Sequence, residues 1–194
     1  MSTEPIRPIR VVVVIGSTRA GRLAPQVARW LVGQTGRRGD LVTEVVDLVD
    51  HPMPEDLDGT VPAVVALRPV LAAADAFVFV VPEYNRGIPG PLKTLIDNFN
   101  AEWEAKPVGF VGYGLSMAGG VRAVEHLRQI FAEFHCVGMK DFALFPRILS
   151  HFDAAGGFAP DTAGCNAAAK IMLDQLVWWA DALRTAKAKR PYRT

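Results

Sequence analysis

Cysteine is scarce in this chain: Cys136 and Cys165 are the only two among 194 residues, and they lack a metal-binding spacing. Such sparing use suits a reducing compartment, so a cytoplasmic location is expected. The four histidines, His51, His126, His135 and His151, form no HxxxH or HxH pair, and no metal site is expected. An excess of either charge is missing too. With 21 Lys and Arg against 20 Asp and Glu, the net charge of +1 gives no reason to expect nucleic acid or an acidic partner. Long apolar runs are also absent. The opening segment MSTEPIRPIR holds a Glu and two Pro, and the apolar run after it is five residues long, so neither a signal peptide nor a membrane span is expected.

What is present is a chain 50% hydrophobic and 21% charged, long enough to bury a substantial core as one domain spanning residues 1–194. Residues 1–8 and the basic tail 188–194 are expected to be flexible. Val11–Ile15 is apolar without alternation, as in a parallel strand covered on both faces. Leu23, Val27, Ala28, Leu31, Val32 and Thr35 then recur at helical spacing, up to Gly33 and Gly36. Leu41–Val49 reads as a second strand, 50–61 as a surface loop, and Ala63–Ala74 as a helix interrupted or restarted at Pro69. Asp75–Val81 is a third strand, and a helix starts near Pro91 with Leu92, Leu95, Ile96 and Phe99 on one face. Pro107–Tyr113 predicts a fourth strand, followed by a helix carrying Val124, Leu127, Phe131 and Phe134 in register. Cys136–Phe142 predicts the fifth strand, 144–162 an irregular stretch, and about Thr162 to Lys187 the last helix. Neighbours on a helix diverge by about 100°, so one of Trp178 and Trp179 is expected in the core and the other over a subunit interface. The cations Arg184, Lys187, Lys189, Arg190 and Arg193 are expected to complement the helix end and fray into solvent. Strands alternating with helices imply a doubly wound α/β domain, and five strands suit the flavodoxin-like order 2-1-3-4-5.

In that order the turns after strands 1, 3 and 4 converge at the carboxyl end of the sheet. These three have the oddest compositions. Gly16 permits a sharp turn, and Ser17, Thr18 and Arg19 place two hydroxyls and a cationic fork beyond the strand, where helix amides also point. Neither GxGxxG nor GxxxxGK[ST] is present, which disfavours a dinucleotide diphosphate or a nucleoside triphosphate and leaves a phosphomonoester. An N-cap serine beside a solvated arginine is the competing reading. The second turn, Pro82-Glu83-Tyr84-Asn85, offers an amide and an aromatic face to the polar edge of a flat heterocycle. Alternatively, its Asn and Tyr serve only backbone hydrogen bonds. Ser116, Gly119 and Gly120 in the third turn allow close backbone approach, or simply cap a helix with flexible glycines.

Together, GSTR at 16–19, PEYN at 82–85 with Gly87, Pro89, Gly90, Leu92 and Lys93, and Tyr113-Gly114 leading to Gly119-Gly120-Val121-Arg122-Ala123 resemble the NADPH-dependent FMN reductase family. The likeness runs from the first strand to the last helix. It implies FMN as cofactor and NADPH or NADH as co-substrate, with hydride passing to flavin N5 and then to a flavin, quinone, azo or similar small-molecule acceptor. It places the phosphate on Ser17, Thr18, Arg19 and the chain to Arg22, and the ring against Pro82, Glu83, Tyr84, Asn85, Ser116, Gly119 and Gly120. Glu83 is read as structural or backbone-orienting rather than as a base. Many members carry serine where Arg22 stands, and Leu115–Ala118 is one residue longer than usual. The resemblance also implies a homodimer or dimer of dimers through 91–103 and 119–135, and Phe99, Trp103, Phe131 and Phe134 supply aromatic surface for it. The alternative is a flavodoxin-type electron carrier without nicotinamide turnover. Such carriers are strongly acidic, unlike this chain. A receiver domain of the same topology would need acidic residues after strand 1, and none stands there.

Overall fold

Four consecutive valines carry β1 (Ile9–Ile15) through the middle of a parallel sheet, where Val11, Val13 and Val14 are wholly buried. The computed structural model describes residues 7–159 and 162–192. β1 pairs with β2 (Leu41–Asp47) on one side and β3 (Ala76–Pro82) on the other, and β3 pairs with β4 (Pro107–Tyr113). The short β5 (Val137–Gly138) and β6 (Ala143–Phe145) both pair with β4, giving the expected order 2-1-3-4-5. Helices α1 (Ala24–Thr35) and α5 (Thr162–Lys189) cover one face. Helices α2 (Pro62–Ala73), α3 (Gly90–Asp97) and α4 (Val121–Glu133) cover the other. Val11 and Val13 therefore enter one core while Val12 and Val14 enter the second, which explains a strand with no polar face. Among the described residues no helix is long and apolar enough to cross a membrane.

Several expectations are corrected. The fifth strand is split, because the Arg128 guanidinium binds the carbonyls of Met139 and Lys140 and Gln175 holds Asp141, which draws 140–142 out of the ladder, while the Met139 N–H still reaches the Val108 carbonyl. Pro69 sits inside an unbroken α2; it and Val65, whose carbonyl loses its partner, are exposed, so water can meet that carbonyl. Phe99, Trp103 and Phe131 are buried, not surface, and pack with Phe77 and Phe79 beneath the sheet. Trp178 and Trp179 are both exposed, edge to face, and neither is core. Arg184 pairs with Asp75 and Asp181, and Lys187 donates to the Ala105 carbonyl, so part of the basic cluster is tethered. Residues 1–6 and 193–194 of the ends expected to be flexible lie outside the described residues; nearby, Arg7 pairs with Asp75, and Tyr192 shares a 2.6 Å hydrogen bond with His135.

Candidate functional site

The turns after β1, β3 and β4 meet around a cavity of about 320 Å³ at the carboxyl edge of the sheet. Arg19, Arg22, Pro82, Glu83, Tyr84 and Asn85 line it, as the sequence suggests. Leu23, Tyr113, Gly114, Leu115 and Ile148 complete the wall. Tyr113 was legible in principle, since it ends β4 in register with Pro82. Ile148 was not, because it comes from the stretch after β6 that carries no periodic signal.

The first turn stays irregular for longer than the pattern suggests: α1 starts only at Ala24, with Pro25 in its first turn. Among the described residues, no backbone N–H from Ser17 to Gly21 finds an acceptor. Consecutive unsatisfied amides beyond a strand form a concavity suited to an anion. Ser17 is wholly buried, and its Oγ lies 2.7 Å from Tyr84 Oη. Thr18 is turned away from this cavity and lines a second cleft, of about 370 Å³, with His51 and Thr94. Arg19 is exposed, has no ion pair among the described residues, and lies 5.4 Å from the centre of the Tyr84 ring. Arg22, in contrast, donates both ends of its fork to Asp47, at 2.5 and 2.7 Å, and reaches the Ser17 carbonyl at 2.9 Å. Hydrogen bonding to Asp47 raises its pKa further above the ordinary arginine value, against the opposing effect of burial.

The second turn is a tight hairpin. Tyr84 and Gly87 exchange backbone hydrogen bonds of 3.0 and 2.9 Å, with φ of +47° at Asn85 and +71° at Arg86. Positive φ at both central positions defines a type I′ turn. Asn tolerates that geometry, whereas Arg does so only under strain of about 1 kcal/mol. Glu83 accepts the Arg122 guanidinium at 2.6 Å and the Arg122 backbone N–H at 3.2 Å. It thus ties the turn to the first turn of α4.

Ser116, Gly119 and Gly120 are not on the cavity wall; they shape the loop that is. A Cβ on Gly120 would stand 2.5 Å from the Tyr113 nitrogen, and one on Gly119 2.8 Å from the Pro146 nitrogen. The Ser116 carbonyl accepts from Gly119 at 3.2 Å and from Arg147 at 3.0 Å, fixing the loop against the segment after β6. Leu115, on the cavity wall, and Met117 are both left exposed. Burial raises the Tyr113 pKa above the ordinary phenol value, so this wall residue stays neutral.

A family model described as NADPH-dependent FMN reductase matches residues 9–148, the span that contains all three turns. The chain belongs to this family. Among its FMN reductase relatives, a protein named NAD(P)H-dependent FMN reductase from Schizosaccharomyces pombe is 37% identical over 116 residues, covering 54% of this chain and 58% of that protein. The chain thus spans less than two thirds of that relative. A quinone reductase of Pseudomonas putida is 32% identical over 156 residues, covering 75% and 82% of the two chains. Among solved structures, the flavoenzyme NAD(P)H:acceptor oxidoreductase FerB from Paracoccus denitrificans superposes with a TM-score of 0.71 at 23% identity, over 90% of this chain and 98% of that one. That likeness shows a shared fold.

Proposed function

We propose that the chain holds FMN in the 320 Å³ cavity and passes hydride from NADPH or NADH to a small-molecule acceptor, such as a flavin, a quinone or an azo compound. The observation that carries the reading is the run of backbone N–H groups from Ser17 to Gly21 that have no acceptor among the described residues, beside Arg19, which has no ion pair among them, set against the PEYN turn across one cavity. The donor set fits a phosphomonoester, and the wall of Tyr84, Tyr113, Leu23, Leu115 and Ile148 fits a flat ring with one polar edge facing Asn85. Bound there, FMN supplies hydride chemistry between a nicotinamide and an acceptor. The chain contributes position and environment. Arg19 and the turn amides hold the phosphate, with the Ser17 hydroxyl next to Tyr84 behind them. Glu83 locks the second turn to α4, with both of its oxygens engaged by Arg122, and is not free to act as a base. Leu115 adds apolar surface to the cavity wall.

Purified protein is expected to be yellow, or to take up FMN, and to consume NADPH or NADH when an acceptor is added. Flavin uptake without nicotinamide turnover would instead mark an electron carrier, and no uptake would overturn both readings. Pairing of two copies through α3 and α4 belongs to the same proposal. A monomeric mass by light scattering on the flavin-loaded protein would remove it.

A further inference from the structure

Arg22 stands where a second phosphate cation is expected, yet its geometry gives it a different task. The guanidinium is filled by the Asp47 carboxylate, which comes from the last residue of the edge strand β2, at 2.5 and 2.7 Å. The two side chains are only 15% and 19% exposed. Such a filled fork brings little net charge to the cavity. Its Nη1 also donates to the Ser17 carbonyl at 2.9 Å. A trans peptide is planar with its C=O and N–H pointing in opposite directions. Fixing the Ser17 carbonyl therefore fixes the direction of the Thr18 N–H, one of the amides without an acceptor among the described residues. Freeing Arg22 to reach a phosphate would leave a partly buried Asp47 unpaired beside a second anion, which is unfavourable.

We infer that Arg22 and Asp47 form a positioning pair that sets the amides of the phosphate turn, and that Arg22 is not itself a phosphate ligand. The inference rests on the FMN reading above. It assigns the phosphate charge to Arg19 and the backbone alone. Opposite signs of one mutational effect separate the two roles. If Asp47 holds Arg22 in place as a brace, removing its charge disorders the turn and weakens the phosphate seat. If Asp47 competes with the phosphate for Arg22, removing its charge frees the cation and strengthens the seat.

The test compares FMN with riboflavin, which lacks the phosphate, by fluorescence quenching on flavin-free protein. Asp47→Asn is expected to weaken FMN about tenfold or more while moving riboflavin by less than about twofold. Arg22→Lys is expected to lose FMN affinity in the same way, because an ammonium can keep the ion pair but cannot also span to the Ser17 carbonyl. This second variant retains both charges, so the test stands even if Asp47→Asn loosens the edge strand. Tighter FMN binding in Asp47→Asn, or undiminished FMN binding in Arg22→Lys, would overturn the inference. So would equal losses for both flavins with a lowered melting temperature, which would mark a purely structural pair. Failure of the wild-type protein to bind FMN, or to prefer it over riboflavin, would show in the first titration and overturn the FMN reading itself.

Discussion

Arg19 and Arg22 share one turn but meet different surroundings. Arg19 faces solvent over the Tyr84 ring with no ion pair among the described residues, whereas Arg22 is held by Asp47 across the strand gap. The residue types were legible in the sequence; the partner of Arg22 was not, since Asp47 is 25 positions away and only the β1–β2 pairing brings it close. Arg19→Ala is expected to weaken FMN binding by about 1.5–3 kcal/mol, the range for hydrogen bonds to charged groups. That corresponds to roughly 10- to 150-fold in dissociation constant, and riboflavin affinity is expected to stay unchanged. Fluorescence titration of both flavins measures it, and unchanged FMN affinity would contradict the phosphate seat. Ser17 and Thr18 show the same limit. The strand-to-turn pattern predicts hydroxyls at the end of β1, but only the path of the turn decides that Thr18 opens onto the neighbouring cleft while Ser17 lies under Tyr84.

At the scale of elements, α4 depends on the glycines before it. Gly120 has φ of +94° and packs against the backbone of Gly112 and Tyr113. Gly120→Ala must therefore shift β4 or the start of α4, and it is expected to cost more than about 2 kcal/mol. Denaturant melting gives the loss, and flavin affinity is expected to fall with it because Tyr113 and Gly114 move. The far end of α2 carries another device: Lys106 donates to the Leu71 and Ala72 carbonyls at 2.8 and 3.1 Å. Burial, with Lys187 nearby, pushes its pKa down to about 8. Between that value and the ordinary lysine value the unfolded chain holds the extra proton, so stability rises with pH. The free energy of unfolding of the wild type relative to Lys106→Met is expected to increase from pH 8 towards 10.5 and to be flat below. A flat difference throughout would show that the ammonium is not buried in solution. Strand and helix types were readable from periodicity, but the division of the fifth strand was not. Cys136–Phe142 is apolar enough to read as one strand, and the break comes from Arg128 and Gln175, contributed by two different helices.

Across the whole molecule, the sheet separates two cores, and the aromatic cluster belongs to the one under α3 and α4. Trp103 is wholly buried, with its Nε1–H donating to the Ile96 carbonyl at 3.1 Å. Trp103→Ala is expected to cost about 3–5 kcal/mol, as seen in thermal or denaturant melting. If the ring served an interface between copies instead, the loss would appear as a change of mass in solution with little change in intrinsic stability. Reading these aromatics as surplus surface failed for a physical reason. A helix pattern shows which residues share a face, but not how much sheet lies beneath to receive them.

The sequence by itself determined the alternation of buried strands and amphipathic helices, and with it the parallel sheet and its order. Handedness and connection rules leave few other ways to bury such strands. It also determined which three turns gather at the carboxyl edge, because that follows from strand order alone. Only the tertiary structure decided which side chains in those turns face the cavity. Hydrogen bonds and ion pairs act over about 3 Å, and positions as far apart as Arg22 and Asp47 come within that range only after the sheet has formed.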